Sequence, residues 1–163
     1  MFDYLLKQKE TDNKILSKEF DNWLFRDRGR QVKGIKYFLN KRSENIDRLI
    51  IDAAGESNLN TINNFGIFTV GGYGRGELHP YSDIDLLLLS KENLSRVDQK
   101  KVETFISLLW DLGLDIGHSV RTLEQAISHA RDDVYTMTNM LEYRMIYGDD
   151  VIHKDYILSL IHI

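Results

Sequence analysis

Apolar residues recur at helical spacing through the first third of the chain. Ile15, Leu16, Phe20, Trp23 and Leu24 form one series, and Ile35, Phe38, Leu39, Ile46, Leu49 and Ile50 form a second. The span from Asn13 to Ala54 contains no proline and only two glycines, so the pattern predicts two amphipathic helices broken near Gly29 or Gly34. A polar loop, Gly55 to Asn64, separates them from a change of period. Ile67 to Val70 reads as a short strand, and Ile84 to Leu89 as a second one. The second is apolar on both faces, as a central strand is. Val102, Phe105, Ile106, Leu109 and Leu112 then form one stripe of a helix over 93–112, with Gly113 as its C-terminal cap. Leu114 to Val120 predicts a third strand. Thr122-Leu-Glu-Gln125 has the form of a capping box opening another helix. A further helix is expected over 132–147, stopped by Gly148. A new apolar series (Val151, Ile152, Tyr156, Ile157, Leu160) starts in the tail. The elements divide into a helical segment 1–55, an α/β core 56–148, and the start of a helical region at 149–163 that is expected to continue in a longer protein. Trp23 and Trp110 sit on apolar stripes and read as core.

Composition narrows this picture. The 163 residues are 42% hydrophobic and 28% charged, which suits one soluble α/β (α+β) domain with a helical attachment. The net charge of −4 argues against a dedicated nucleic-acid binder. With no cysteine, neither a disulfide framework nor a thiolate metal site is possible. The N-terminus turns charged too soon for a signal peptide, and no apolar run reaches membrane-spanning length. A cytoplasmic protein without a membrane partner is expected. One basic run, Arg26 to Arg42, holds Arg26, Arg28, Arg30, Lys33, Lys36, Lys41 and Arg42 against Asp27 alone. It is either a solvated helix face or a dock for an acidic patch.

The chemistry concentrates in TVGGYGRGELHPYSDIDLLLLS, Thr69 to Ser90. Glycines after a strand let the backbone approach a phosphate closely. The spacing rules out a P-loop, because no lysine follows, and a dinucleotide fingerprint, because Glu77 stands where its third glycine belongs. A plain tight turn is the competing reading. Asp83 and Asp85 shift the balance. Side chains two apart on a strand share a face, roughly 6–7 Å apart at Cα. Two carboxylates placed there repel unless a cation joins them, and hard oxygen donors select Mg²⁺. The alternative is that Ser82-Asp83 caps a turn and Asp85 pairs with a lysine. Asp115, flanked by apolar residues on the next predicted strand, would complete a triad for two-metal phosphoryl chemistry. His118 reads as a polar packing residue.

Gly71-Gly72, Asp83-x-Asp85 and Asp115 resemble the nucleotidyltransferase superfamily that includes DNA polymerase β. Two blocks, GGYGRGELHPYSDIDLLLL and LWDLGLDIGHSVRTLEQ, are similar to the bacterial PII uridylyltransferases, which are bifunctional uridylyltransferase/uridylyl-removing enzymes. The segment MLEYRMIYGD also fits. The resemblance implies a nucleotidyltransferase fold, a small mixed sheet flanked by helices. It implies Mg²⁺-dependent transfer of UMP from UTP to a tyrosine of the PII nitrogen-regulatory protein, with release of pyrophosphate. Asp83, Asp85 and Asp115 would hold two Mg²⁺ ions. Gly71, Gly72, Arg75, Ser82, Ser119 and Arg121 would contact phosphate or nucleotide; for Ser119 and Arg121 a strand end with a capping arginine is the rival reading. That family's proteins are several times longer, with a His-Asp phosphohydrolase domain and glutamine-sensing ACT domains. No His-Asp pair occurs here, so neither uridylyl removal nor glutamine sensing is expected. Two other readings stay open. One is a related adenylyltransferase or antitoxin-type nucleotidyltransferase; the other is a non-catalytic nucleotide-binding fragment. UTP preference over ATP is not evident in any residue.

Overall fold

The computed structural model describes residues 2–26 and 33–162. Two long helices, α1 (Phe2–Arg26) and α2 (Lys33–Glu56), lead in. Gly34 lies inside α2; Gly29, Arg28 and Arg30, and the side chains of Trp23, Arg26 and Lys33, lie outside what is described. A 3₁₀ turn (Leu59–Thr61) leads into β1 (Phe65–Thr69), a short helical turn α3 (Gly71–Gly74) and β2 (Ile84–Ser90). Next come α4 (Arg96–Asp111), β3 (Ile116–Thr122), α5 (Leu123–Asp132), α6 (Val134–Leu141), β4 (Arg144–Gly148) and α7 (Asp150–Ile161).

The sheet runs β3-β2-β1-β4. β2 is antiparallel to β1 and parallel to β3, and β1 is antiparallel to β4, so the sheet is mixed, as expected. Alternation along β2 divides the core. Ile84, Leu86 and Leu88 pack with Leu49, Ile50, Phe105 and Leu109 from α2 and α4. Leu87 and Leu89 pack on the other face with Ala126, Met140, Ile152 and Tyr156 from α5, α6 and α7. The leucine run is apolar throughout because helices cover both faces. The helical segment is not separate from the sheet: Ile46, Leu49 and Ile50 belong to the same cluster as β1 and β2.

Local signals fall where the sequence places them at two helix ends. Thr122 accepts from the Gln125 amide while the Gln125 side chain accepts from the Thr122 amide, a complete capping box. Gly113, at φ +67°, ends α4. Other expectations need correction. β1 starts at Phe65 rather than Ile67, and α4 starts at Arg96, where Ser95 caps it through the Asp98 amide. β3 starts at Ile116, not Leu114, which leaves Asp115 just outside the strand. The single helix expected over 132–147 is instead α6 followed by the edge strand β4, and Gly148 ends that strand. The run Arg144 to Tyr147 is extended because it finds backbone partners on β1, a pairing that no local period reports. Trp110 is 53% exposed, not core. It rests edge-on against His118, their ring centroids 5.6 Å apart.

Candidate active site

Asp85 and the glycine turn meet because β1 and β2 form an antiparallel pair. Thr69 is opposite Leu86, and the next amide, Val70, donates to the Asp85 carbonyl at 3.3 Å. Gly71, at φ +60°, follows at once and opens the helical turn. The cap position, Val70, offers no side-chain acceptor to the first N–H groups of that turn. The turn is closed behind by the Arg75 amide on the Gly71 carbonyl, 3.1 Å, and the Glu77 amide on the Gly72 carbonyl, 2.9 Å. Gly74 packs against the segment after α6: a Cβ there would lie 1.9 Å from the Glu142 carbonyl oxygen. No other residue fits without moving backbone.

Asp85 opens to solvent at the start of β2, yet part of its carboxylate is enclosed. Burial first, and the neighbouring Asp83 charge second, push its carboxyl above the ordinary carboxylate range. The parallel register sets Gly117 of β3 directly opposite. A Cβ at Gly117 would stand 2.6 Å from Asp85 Oδ1, so the glycine makes room for the carboxylate. Among the described residues, neither Asp83 nor Asp85 forms an ion pair or a side-chain hydrogen bond. The lysine partner that would have made Asp85 an ordinary structural acid is absent from that set. Two mutually repelling, partner-free carboxylates suit a hard divalent cation.

The other sequence-nominated residues divide. Asp115 precedes β3, and its carbonyl accepts from the Ile84 amide at 2.9 Å, so it is adjacent to the start of β2. The described residues nevertheless contain no group of three acidic or histidine side chains close enough to hold a metal, so Asp115 is not drawn into one cluster with Asp83 and Asp85. Arg75 is exposed; its Nε donates to Glu77 at 3.1 Å and Nη1 pairs with Glu142. Ser82 is exposed, its amide bonded to the His79 carbonyl. Ser119 and Arg121 share the Gly117 side of β3 and line a cleft of about 270 Å³ with Asp85. Tyr135, Thr136 and Asn139 of α6 form its opposite wall. Asn139 Oδ1 stands 3.5 Å from the point a Cβ on Gly71 would occupy, so α6 reaches the glycine turn.

Sequence reasoning missed Gly117, Tyr135, Thr136 and Asn139 as site residues. Gly117 was visible only as part of a motif, because its role depends on the register with Asp85. The α6 residues carried no signal, being read as the interior of a longer helix.

A half-buried network supports the turn from below. Asp47 of α2 accepts from the Tyr73 hydroxyl at 2.7 Å and from both terminal guanidinium nitrogens of Arg144 on β4, one at 3.1 Å. The Arg144 guanidinium also lies 5.6 Å from the Tyr73 ring centroid. Burial, then the Asp47 charge, push the Tyr73 hydroxyl well above the ordinary tyrosine range.

A glycine turn joined by one hydrogen bond to a strand with two acids at its mouth defines a class of protein. Residues 48–147 match the nucleotidyltransferase domain family, and the chain belongs to that family. Its members act on nucleoside triphosphates with a divalent metal. Among individual proteins, the chain is similar to the bifunctional uridylyltransferase/uridylyl-removing enzyme of Pseudoalteromonas translucida (strain TAC 125). The two are 44% identical over 141 residues, which cover 86% of this chain and 16% of that protein. The enzyme of the same description from Nitrosococcus oceani is 41% identical over 110 residues, 68% of this chain and 12% of that protein. The chain thus spans less than a fifth of the length of these relatives. A solved toxin-antitoxin with AMP-PNP aligns with 68% of this chain and 81% of its own, at a TM-score of 0.41 and 19% identity.

Proposed function

We propose that this domain transfers UMP from UTP to a tyrosine hydroxyl of a PII-type signalling protein, releasing pyrophosphate in an Mg²⁺-dependent reaction. The observation that carries the reading is the Val70–Asp85 hydrogen bond, which brings the glycine turn beside the partner-free Asp83/Asp85 pair. The choice of uridylyl transfer follows the relatives' description, and the choice of a PII-type acceptor follows the family that the two sequence blocks resemble.

Asp83 and Asp85 would hold Mg²⁺, with Asp115 contributing to a second ion or taking the proton of the incoming tyrosine. The ions, when bound, would neutralise charge on the attacking and leaving oxygens. The tyrosine oxygen forms the new bond to the α-phosphorus while the bond to the β-phosphate oxygen breaks, so pyrophosphate carries away the bonding electrons. The uncapped amides at Gly71 and Gly72 donate to phosphate oxygens. Arg75 joins them by exchanging one of its two carboxylate partners for a phosphate. Ser119 and Arg121 face the nucleotide in the cleft beside Asp85, and Ser82 borders the carboxylates on the other side. The same reading makes this a cytoplasmic enzyme domain whose partners are a nucleotide and a protein, not nucleic acid.

Calorimetric titration of UTP and of ATP, each with and without Mg²⁺, tests it on the wild-type chain and on Asp85→Asn. UTP binding that requires Mg²⁺ and disappears in the variant is expected, followed by labelling of a PII-type protein in a transfer assay. Equal binding by wild type and variant would refute the site. Preference for ATP would move the domain to an adenylyltransferase.

A further inference from the structure

A second, larger cleft opens on the other side of the same sheet edge. It measures about 980 Å³ and lies between α1, α2, the 79–82 loop and the 113–115 segment. Its wall is apolar where Leu16, Ile35, Leu39 and Leu114 line it. Two cations also line it, and their bonding is unusual. Arg42 donates through Nη2 to the Pro80 carbonyl at 3.2 Å, while its Nε is buried without a hydrogen-bond partner. Lys9 donates to the carbonyls of Leu112 and, at 3.0 Å, Gly113. Among the described residues neither forms an ion pair with a carboxylate. The neighbouring lysines of α2 differ, for Lys36 pairs with Glu77 and Lys41 with Glu44. The cleft therefore carries two cations without a carboxylate partner beside an apolar wall, and among the described lining residues Asp115 alone is acidic.

Its position matters as much as its chemistry. Ser82 and Asp115 line one end, and Asp83 follows Ser82 directly. β2 and β3 are in parallel register from Ile84 and Ile116, and the Asp115 carbonyl accepts from the Ile84 amide, so the backbone at Asp115 lies beside the start of β2. The smaller cleft holding Asp85, Ser119 and Arg121 lies on the α5–α6 side. The carboxylate edge thus stands between two openings, one already proposed for the nucleotide.

We propose that the larger cleft receives the acceptor: an extended protein segment with an acidic side chain for Arg42 and Lys9, an apolar side chain for the α1–α2 wall, and its hydroxyl directed past Ser82 to the carboxylate edge. A transferase needs separate approaches for donor and acceptor, since attack in line with the leaving group comes from the opposite side of the phosphorus. The cationic lining selects acidic flanks by charge complementarity. The acceptor role and the hydroxyl rest on the transfer reading; the groove and its charge preference do not.

The test is backbone-amide NMR of the full 163-residue chain, titrated separately with two blocked peptides. One is Glu-Glu-Tyr-Leu-Glu and the other Lys-Lys-Tyr-Leu-Lys. The acidic peptide is expected to shift amides lining the larger cleft, at 9–17, 35–46, 79–82 and 113–115, and the basic one to leave them in place. Arg42→Gln should weaken the acidic peptide by roughly tenfold, the loss of one charged hydrogen-bonding partner. Equal response to both peptides, shifts confined to α5–α6, or no shift at millimolar peptide would overturn the proposal. If Arg42→Gln misfolds, the contrast between the two peptides on the wild type still decides. UTP with Mg²⁺ added to the same sample reads the transfer proposal separately, through amides at 85, 117–121 and 135–139. UTP shifts in the larger cleft would overturn the assignment of that cleft to the acceptor.

Discussion

On the proposed reading Asp85 is the residue whose environment makes opposite demands on the metal-free protein and on the protein with its metal bound. Its carboxyl is held above the ordinary range by burial and by Asp83. In the window between the ordinary and raised values, the folded chain keeps a proton that the unfolded chain has released. Stability of the metal-free protein therefore falls as pH rises through that window, and the loss is complete above it. Asp85→Asn removes this loss. Metal-free Asp85→Asn should melt higher than wild type at neutral pH, and the difference should vanish below the ordinary carboxylate range; calorimetric melting across pH checks both. Gly117 carries the complementary demand. Gly117→Ala places a methyl 2.6 Å from Asp85 Oδ1. The variant should fold, with a stability loss of about 1–3 kcal/mol from overpacking, while Mg²⁺-dependent UTP affinity drops at least as far as that displacement requires, about tenfold. Unchanged UTP affinity in a folded Gly117→Ala would mean that Asp85 is not held where the metal needs it.

Among the elements, local and non-local signals separate cleanly. The capping box at Thr122 is written in four consecutive residues, and the structure contains it. Thr122→Ala should cost about 0.5–2 kcal/mol, read as a lower midpoint in urea with an unchanged slope. Gly113 is legible for the same reason, because a helix end depends on its own residues. β4 is not. The residues Arg144 to Tyr147 include apolar positions compatible with helical spacing, and they become a strand only because β1 offers an edge. Trp110 shows the same limit from the other side. Its place on the apolar stripe of α4 suggested burial, but the stripe's edge faces His118 at the margin of the sheet. α6 is shortened by the strand that follows it, and its Asn139 reaches the glycine turn.

At the scale of the whole molecule, α2, the glycine turn and β4 are tied by Asp47, Tyr73 and Arg144. Tyr73 is 2% exposed and its hydroxyl is raised well above the ordinary range. An acid whose folded value is raised contributes stability that is fully present below the unfolded value and lost as pH rises beyond it. The protein should therefore lose stability steeply above about pH 10, the ordinary tyrosine range. Tyr73→Phe should flatten that alkaline fall relative to wild type, and denaturant midpoints measured from pH 8 to 11 would show it. An equally steep fall in the variant would assign the effect to other tyrosines, of which Tyr156 is also raised by burial.

The chain itself determined the elements that depend on neighbours in sequence: the two-period pattern, the helix caps, the central leucine strand, and the acids two apart that must share a face. It also determined the family, because Gly71-Gly72, Asp83-x-Asp85 and the block around Asp115 are contiguous motifs. Tertiary structure alone decided which residues face one another. The register of β2 on β3 sets Gly117 against Asp85, the β1–β2 pairing brings Val70 to the Asp85 carbonyl, and the edge pairing turns 144–148 from helix to strand. It also separated the two clefts, leaving Arg42 and Lys9 on one side of the sheet and Ser119 and Arg121 on the other. The physical reason is range. Backbone propensity, capping and side-chain period act over three or four residues, whereas strand register and the closeness of carboxylates are set by packing between segments tens of residues apart.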